Sequence, residues 1–177
     1  MNDFKEKKLS SKLVYEGKIL NLRVDTVRLP NGKEGQREVV EHSGAVAIVA
    51  LTTKQEVLLV RQYRYPAQQE LMELPAGKLE LNEKPLECAK RELMEETGVV
   101  AGRWQELYAF YSTPGFSNEK LYLFMAKDLT FKEQHLDADE FVEMKKVSLQ
   151  RALGMIKEGQ INDAKTIVGI LAAKDEL

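Results

Sequence analysis

Residues 44–51, GAVAIVAL, are small or β-branched and apolar, without a polar break. Such a run suits a strand buried on both faces. Upstream, ILNLRVDTVRLP (19–30) alternates instead. Leu20, Leu22, Val24, Thr26 and Arg28 fall on one face, and Ile19, Asn21, Arg23, Asp25 and Val27 on the other. Pro30, Asn31 and Gly32 signal a turn, and QREVVEH reads as the return strand. After GAVAIVAL, TTKQ turns the chain and EVLLVRQYR (56–64) is the next strand. LMELPAGKLE (71–80) is interrupted by Pro75 and Gly77, so it reads as a short strand running into a loop.

KPLECAKRELMEETG (84–98) carries the clearest helical period. Pro85 suits its first turn and Gly98 its C-terminal cap. WQELYAFYSTPG and EKLYLFMAKDL read as two strands joined by a loop at residues 112–118, and FVEMKKVSL as a further strand. From SLQRALGMIKEGQ the pattern predicts a helix to about Glu158, a stop at Gly159, and a second helix capped by Asn162. The polar opening, MNDFKEKKLSSK, is expected to be loosely ordered as far as Leu13. The elements add up to an α/β chain: a mixed sheet with helices on both sides (44–177), preceded by an antiparallel β segment (1–43).

Composition narrows the possible partners. A net charge of −2 gives no electrostatic footprint for nucleic acid or a membrane surface. No apolar run approaches the roughly 20 residues of a membrane span, and none resembles a signal peptide. The single cysteine, Cys88, cannot form an internal disulfide, which fits a reducing, cytoplasmic setting.

Charge is concentrated in GKLELNEKPLECAKRELMEETGV (77–99). Glu92, Glu95 and Glu96 stand at i, i+3 and i+4, sharing one face beside an apolar stripe of Leu86, Ala89 and Leu93. Like charges at this spacing weaken a helix, and Glu95 and Glu96 meet the unfavourable end of its dipole. Two readings follow. Arg91 and Lys90 neutralise the acids as surface pairs, or the acids bind a cation. An all-oxygen cluster suits a hard ion such as Mg²⁺, with Mn²⁺ as a substitute. With only His42, His135 and Cys88 available, a Cys/His zinc site is a poor fit.

The same segment resembles the Nudix box, G-x5-E-x7-R-E-U-x-E-E-x-G-U, where U is apolar. Gly77, Glu83, Arg91, Glu92, Leu93, Glu95, Glu96, Gly98 and Val99 are all in register. The resemblance implies the Nudix fold, an α/β/α sandwich, and hydrolysis of a nucleoside diphosphate linked to another moiety. It also implies that Glu92 and Glu96 are the main metal ligands, with Glu95 and the Ala76 carbonyl beside them. Arg91 would orient a glutamate, and Glu83 would pair with it.

Features outside the box resemble the ADP-ribose pyrophosphatase branch. Pro114, in YSTPGFSNE, stands at the distance past the box seen in that branch. LLVRQYRYPAQQELMELPAG is similar to the same branch and would bring Arg64 to the pyrophosphate. The N-terminal β segment resembles the swapped domain through which such enzymes form homodimers. Arg37 and Glu73 are further candidates for contact with the substrate. The general base implied by the branch falls in HLDADEFVE (135–143), with Glu140 the best match and Glu143 and Asp139 behind it. The leading expectation is Mg²⁺-dependent hydrolysis of ADP-ribose to AMP and ribose 5-phosphate. The rivals are another nucleoside diphosphate sugar, such as GDP-mannose or ADP-glucose, and a non-catalytic nucleotide-binding module.

Overall fold

A computed structural model describes residues 4–132 and 141–176. The chain divides into two compact units, residues 1–44 with 111–120, and residues 45–110 with 121–177.

The first unit holds an antiparallel sheet of β1 (Lys7–Glu16), β2 (Asn21–Arg28) and β3 (Glu34–Glu41), in that order. The polar opening is therefore strand from Lys7 onward, not loose chain as far as Leu13. Its pairing is a matter of main chain, from Lys7 opposite Arg28 to Glu16 opposite Asn21. All of its side chains are exposed, so no apolar alternation announces it. On β2 the buried positions are Asp25 and Val27, from the second of the two faces read in the sequence. Asp25 is compensated by Arg23 and by the Ser11 hydroxyl, which donates at 2.6 Å.

The second unit is built around β4 (Ala45–Ala50), the uninterrupted apolar run. β4 lies parallel to β9 (Lys120–Phe131) and antiparallel to β7 (Ala76–Lys78), and β8 (Val99–Tyr111) flanks β9. A separate ladder orders β10 (Glu143–Ser148), β5 (Glu56–Arg64) and β6 (Gln69–Glu73). Side chains of β4 alternate between two cores. Val46, Ile48 and Ala50 meet Cys88, Ala89 and Leu93 of α1 (Pro85–Thr97). Ala47 and Val49 meet Leu149 and Ala152 of α2 (Leu149–Lys157) and Ile170 of α3 (Ala164–Ala172). This is the expected sandwich, with α1 on one side of the sheet and α2 and α3 on the other.

The helix ends follow local chemistry. Pro85 opens α1, and Gly98 closes it at φ 66° with its N–H on the Met94 carbonyl at 2.8 Å. β8 then begins at once, five residues earlier than Trp104, where the sequence pattern first shows it. The cap of α3 is Asp163, not Asn162. Both residue types cap well, but it is the Asp163 carboxylate that accepts the Thr166 N–H, at 3.0 Å. Among the described residues no helix is long and apolar enough to cross a membrane.

Candidate active site

The acidic face of α1 is organised by one arginine. Arg91 grips Glu83 with both arms, Nε to Oε1 and Nη2 to Oε2, each at 2.9 Å. Its Nη1 donates to Glu92 at 2.7 Å and to Glu95 at 2.9 Å. A longer bond reaches the Lys78 carbonyl at 3.3 Å. The planar fork makes this possible, since a lysine ammonium could not present two parallel donors to one carboxylate. Glu80 and Glu87, the other acids of the segment, are exposed.

Arg91 sets the electrostatics here. Its hydrogen bonds draw the Glu83 carboxyl down to about 2, aided by the Glu80 N–H and opposed by partial burial. The Arg91 guanidinium is held more firmly protonated, first by Glu83, then by Glu92 and Glu95. Cys88 is buried in the core beneath α1, and burial, followed by the hydrogen bond with Glu83, pushes its thiol up.

The sign of the Glu83 shift fixes a pH dependence. A carboxylate depressed from 4.5 to about 2 stabilises the fold fully above 4.5 and loses that contribution as pH falls toward 2. The thermal midpoint of wild-type protein should therefore exceed that of Glu83→Gln at neutral pH, and the gap should close between pH 4.5 and 2. A gap of constant size across this window would show that Glu83 stabilises by packing, not by charge.

Glu92 and Glu96 are nearly buried, at 8% and 3% exposure, while Glu95 is more open. Gly77, on β7, makes room for Glu92: a Cβ at this position would lie 1.8 Å from the Glu92 carboxyl carbon. Glu96 accepts the Ala76 N–H at 2.9 Å, tying the carboxylate to the residue whose carbonyl is a candidate ligand. Among the described residues no three acidic, histidine or cysteine side chains form a ready ion-binding group. Their chemistry nonetheless fits a hard divalent cation: carboxylate and carbonyl oxygens, a surplus of negative charge over one shared arginine, and a glycine cradle.

A second buried acid stands at the end of β6. Glu73 is 1% exposed and is clamped by Arg64, Nε to Oε1 at 2.7 Å and Nη2 to Oε2 at 2.9 Å. Lys165, on α3, also donates to Glu73. Burial works to raise the Glu73 carboxyl, but the Arg64 hydrogen bonds and the Lys165 charge outweigh it and hold the group below the usual range. Arg64 in turn feels Glu73 first, and also the charges of Glu96 and Asp163. So the structure joins two expected residues, Arg64 and Glu73, in one ion pair and adds Lys165. The sequence reading missed Lys165, seeing only a helix start in NDAKT; a charged residue on the buried side of an otherwise apolar helix was the available signal.

Other candidates fall elsewhere. Arg37 and Pro114 belong to the first unit. Arg37 is engaged by Glu6 through a bidentate pair, which holds it firmly protonated. Pro114 is exposed in a turn closed by bonds from Phe116 and Ser117 to the Thr113 carbonyl. Glu143 opens β10 opposite Arg61, which donates to it at 2.8 Å, and Lys145 takes its other oxygen. Asp139 and Glu140 lie outside the described residues.

Known proteins align with this arrangement along its length. Residues 41–168 match the NUDIX domain, and residues 6–40 match the nucleoside diphosphate sugar hydrolase N-terminal domain. An ADP-ribose pyrophosphatase of Bacillus subtilis is 42% identical over 96% of this chain and 93% of its own. A methanol dehydrogenase activator of Bacillus methanolicus is 43% identical over 94% of this chain and 91% of its own. A GDP-mannose pyrophosphatase of Citrobacter koseri is 33% identical over 75% of this chain and 74% of its own. The crystal structure of an ADP compounds hydrolase shares the fold, with a TM-score of 0.85 at 21% identity, covering 98% of this chain and 94% of its own.

Proposed function

The chain belongs to the Nudix family, and from that premise we propose that it hydrolyses the pyrophosphate of ADP-ribose to AMP and ribose 5-phosphate. One observation carries the choice of substrate. Similarity to an ADP-ribose pyrophosphatase runs through both the N-terminal segment and the Nudix domain, at 42% identity over 96% of the chain. Similarity to GDP-mannose pyrophosphatases is lower and shorter, 33% over 75% of the chain for one and 31% over 84% for another.

In this reading Glu92, Glu96, Glu95 and the Ala76 carbonyl hold Mg²⁺. The ion, when bound, neutralises the pyrophosphate and lowers the pKa of water at the reacting phosphorus. Arg91 keeps Glu92 and Glu95 pointed to the same side of α1 by its two Nη1 bonds. Arg64 offers the pyrophosphate a guanidinium whose plane is set by Glu73. Arg37 and Pro114 are further candidates for contact with the substrate. We assign the water's proton to Glu140 ahead of Glu143, because Glu143 is engaged by Arg61 and Lys145. The proposal extends to a cytoplasmic homodimer built through the N-terminal segment. Leu13, Val14, Tyr15 and Ile19 are all more than half exposed there, an apolar surface suited to a second copy.

One assay decides among the readings. Purified protein, with Mg²⁺, is offered ADP-ribose, ADP-glucose and GDP-mannose, and products are identified; sedimentation of the same sample gives its mass. ADP-ribose should be turned over fastest, with AMP released, by a dimer. Faster cleavage of GDP-mannose would move the assignment to that substrate. No hydrolysis of any of the three would favour a nucleotide-binding module. A Glu140→Gln protein with near-wild-type turnover in this assay would remove Glu140 as the base.

A further inference from the structure

The segment NDAKT, at the start of α3, does more than cap a helix. Asp163 Oδ2 accepts from the Thr166 N–H at 3.0 Å, from the Thr166 hydroxyl at 2.6 Å and from Lys165 Nζ at 3.0 Å. Fully buried Thr166 accepts the Leu74 N–H on its hydroxyl at 2.8 Å, across 92 positions of sequence. Lys165 donates to Glu73, the neighbour of Leu74. The first turn of α3 thus fixes both the backbone and the carboxylate at the end of β6, just ahead of the Ala76–Gly77 stretch. Ile48 of β4 holds the intervening Pro75 carbonyl at 2.9 Å.

Glu73 needs this second cation. A carboxylate with 1% exposure is costly unless it is both paired and hydrogen-bonded. Its other partner, Arg64, has a side chain 41% exposed and could swing toward solvent. The Lys165 side chain is only 14% exposed and is pinned from behind by Asp163. Lys165 is therefore the fixed partner and Arg64 the presented one. Glu73 takes two of the five N–H donors of Arg64 and so sets the plane in which the remaining donors meet a ligand.

We propose that Lys165 is a positioning residue for hydrolysis, acting on the substrate through Glu73 and Arg64 without touching it; this rests on the hydrolase reading above. Charge, not shape, is its contribution. With Lys165 gone, Glu73 keeps only its solvent-side partner, and the pair loses the geometry that aims the guanidinium.

The test is a double-mutant cycle on the Mg²⁺-loaded enzyme with ADP-ribose. Lys165→Met should lower kcat/KM by about 10- to 100-fold, mostly through KM. In an Arg64→Ala background the same substitution should change kcat/KM by less than about threefold, because the arginine it aims is absent. Equal losses in both backgrounds would overturn the proposal, whether Lys165 touches substrate directly or only supports the fold. A second readout needs no turnover. The Arg64 Nε–H resonance in a ¹⁵N-labelled sample should be sharp in the wild type and broadened by exchange in Lys165→Met. An unchanged resonance would overturn the proposal. If the wild type cleaves no nucleoside diphosphate sugar, the hydrolase reading fails and this resonance still decides whether Lys165 holds Arg64. Should Lys165→Met not fold, Lys165→Gln, which keeps a donor and drops the charge, carries the same cycle.

Discussion

Glu92→Gln is expected to cut turnover of ADP-ribose by a factor on the order of 10²–10³, the scale of losing one electrostatic stabiliser at the reacting centre. The substitution is isosteric and removes one negative charge. The amide oxygen can still accept from Arg91 Nη1, so the contact of 2.7 Å survives in outline. Stability should change little and could rise slightly, since a like-charge neighbour of Glu95 and Glu96 is removed. Glu96→Gln should behave similarly, because an amide oxygen can still accept the Ala76 N–H now bonded at 2.9 Å. Glu95→Gln should be the mildest, as its side chain is 37% exposed. Steady-state rates across a Mg²⁺ titration, with melting curves for each protein, check the order. Wild-type turnover of Glu92→Gln at modest Mg²⁺ would take this carboxylate out of the metal set.

Gly77→Ala should reproduce the Glu92 loss without touching Glu92. The added methyl would fall 1.8 Å from the carboxyl carbon and 1.9 and 2.3 Å from its two oxygens. Both cannot occupy that space. What yields is the far end of a flexible side chain rather than backbone, so the displacement is cheap for the fold. The backbone gives no reason for a large penalty either, since Gly77 is not among the residues at positive φ. Activity and stability should therefore part company, with turnover falling about as far as in Glu92→Gln while the melting temperature stays within a few degrees. Combining Gly77→Ala with Glu92→Gln should add little, because both remove the same carboxylate from the same place. Full activity in Gly77→Ala would show that Glu92 can reach the ion by another route. A collapse in stability would show instead that the strand moved.

Local features of this site were readable in the sequence. Pro85 and Gly98 bound α1, the i, i+3, i+4 spacing placed Glu92, Glu95 and Glu96 together, and the apolar run of β4 announced burial on both sides. Each of these depends on residues within one or two turns of one another. Contacts between distant segments were not readable. Nothing near Glu73 points to Lys165, 92 positions away, because that pairing exists only after α3 folds against the sheet. β1 was missed for a different reason: its side chains are all exposed, so main-chain pairing leaves no hydrophobic trace. Asn162 and Asp163 offered equal capping chemistry, and only the register of the first turn separated them.

The reach from Glu73 to Lys165 also orders events as the chain is made. Glu73 and the acidic helix are synthesised long before NDAKT, and a domain folds as a unit once its chain has emerged. A nascent chain ending before Asp163 already carries Gly77 and all the box glutamates. It lacks the hydroxyl that holds Leu74 and the ammonium that holds Glu73. The partners of Leu74 and Glu73 are thus made after the acids of α1, and a chain cut short before Asp163 would keep Glu92, Glu95 and Glu96 while leaving the buried Glu73 without its ammonium.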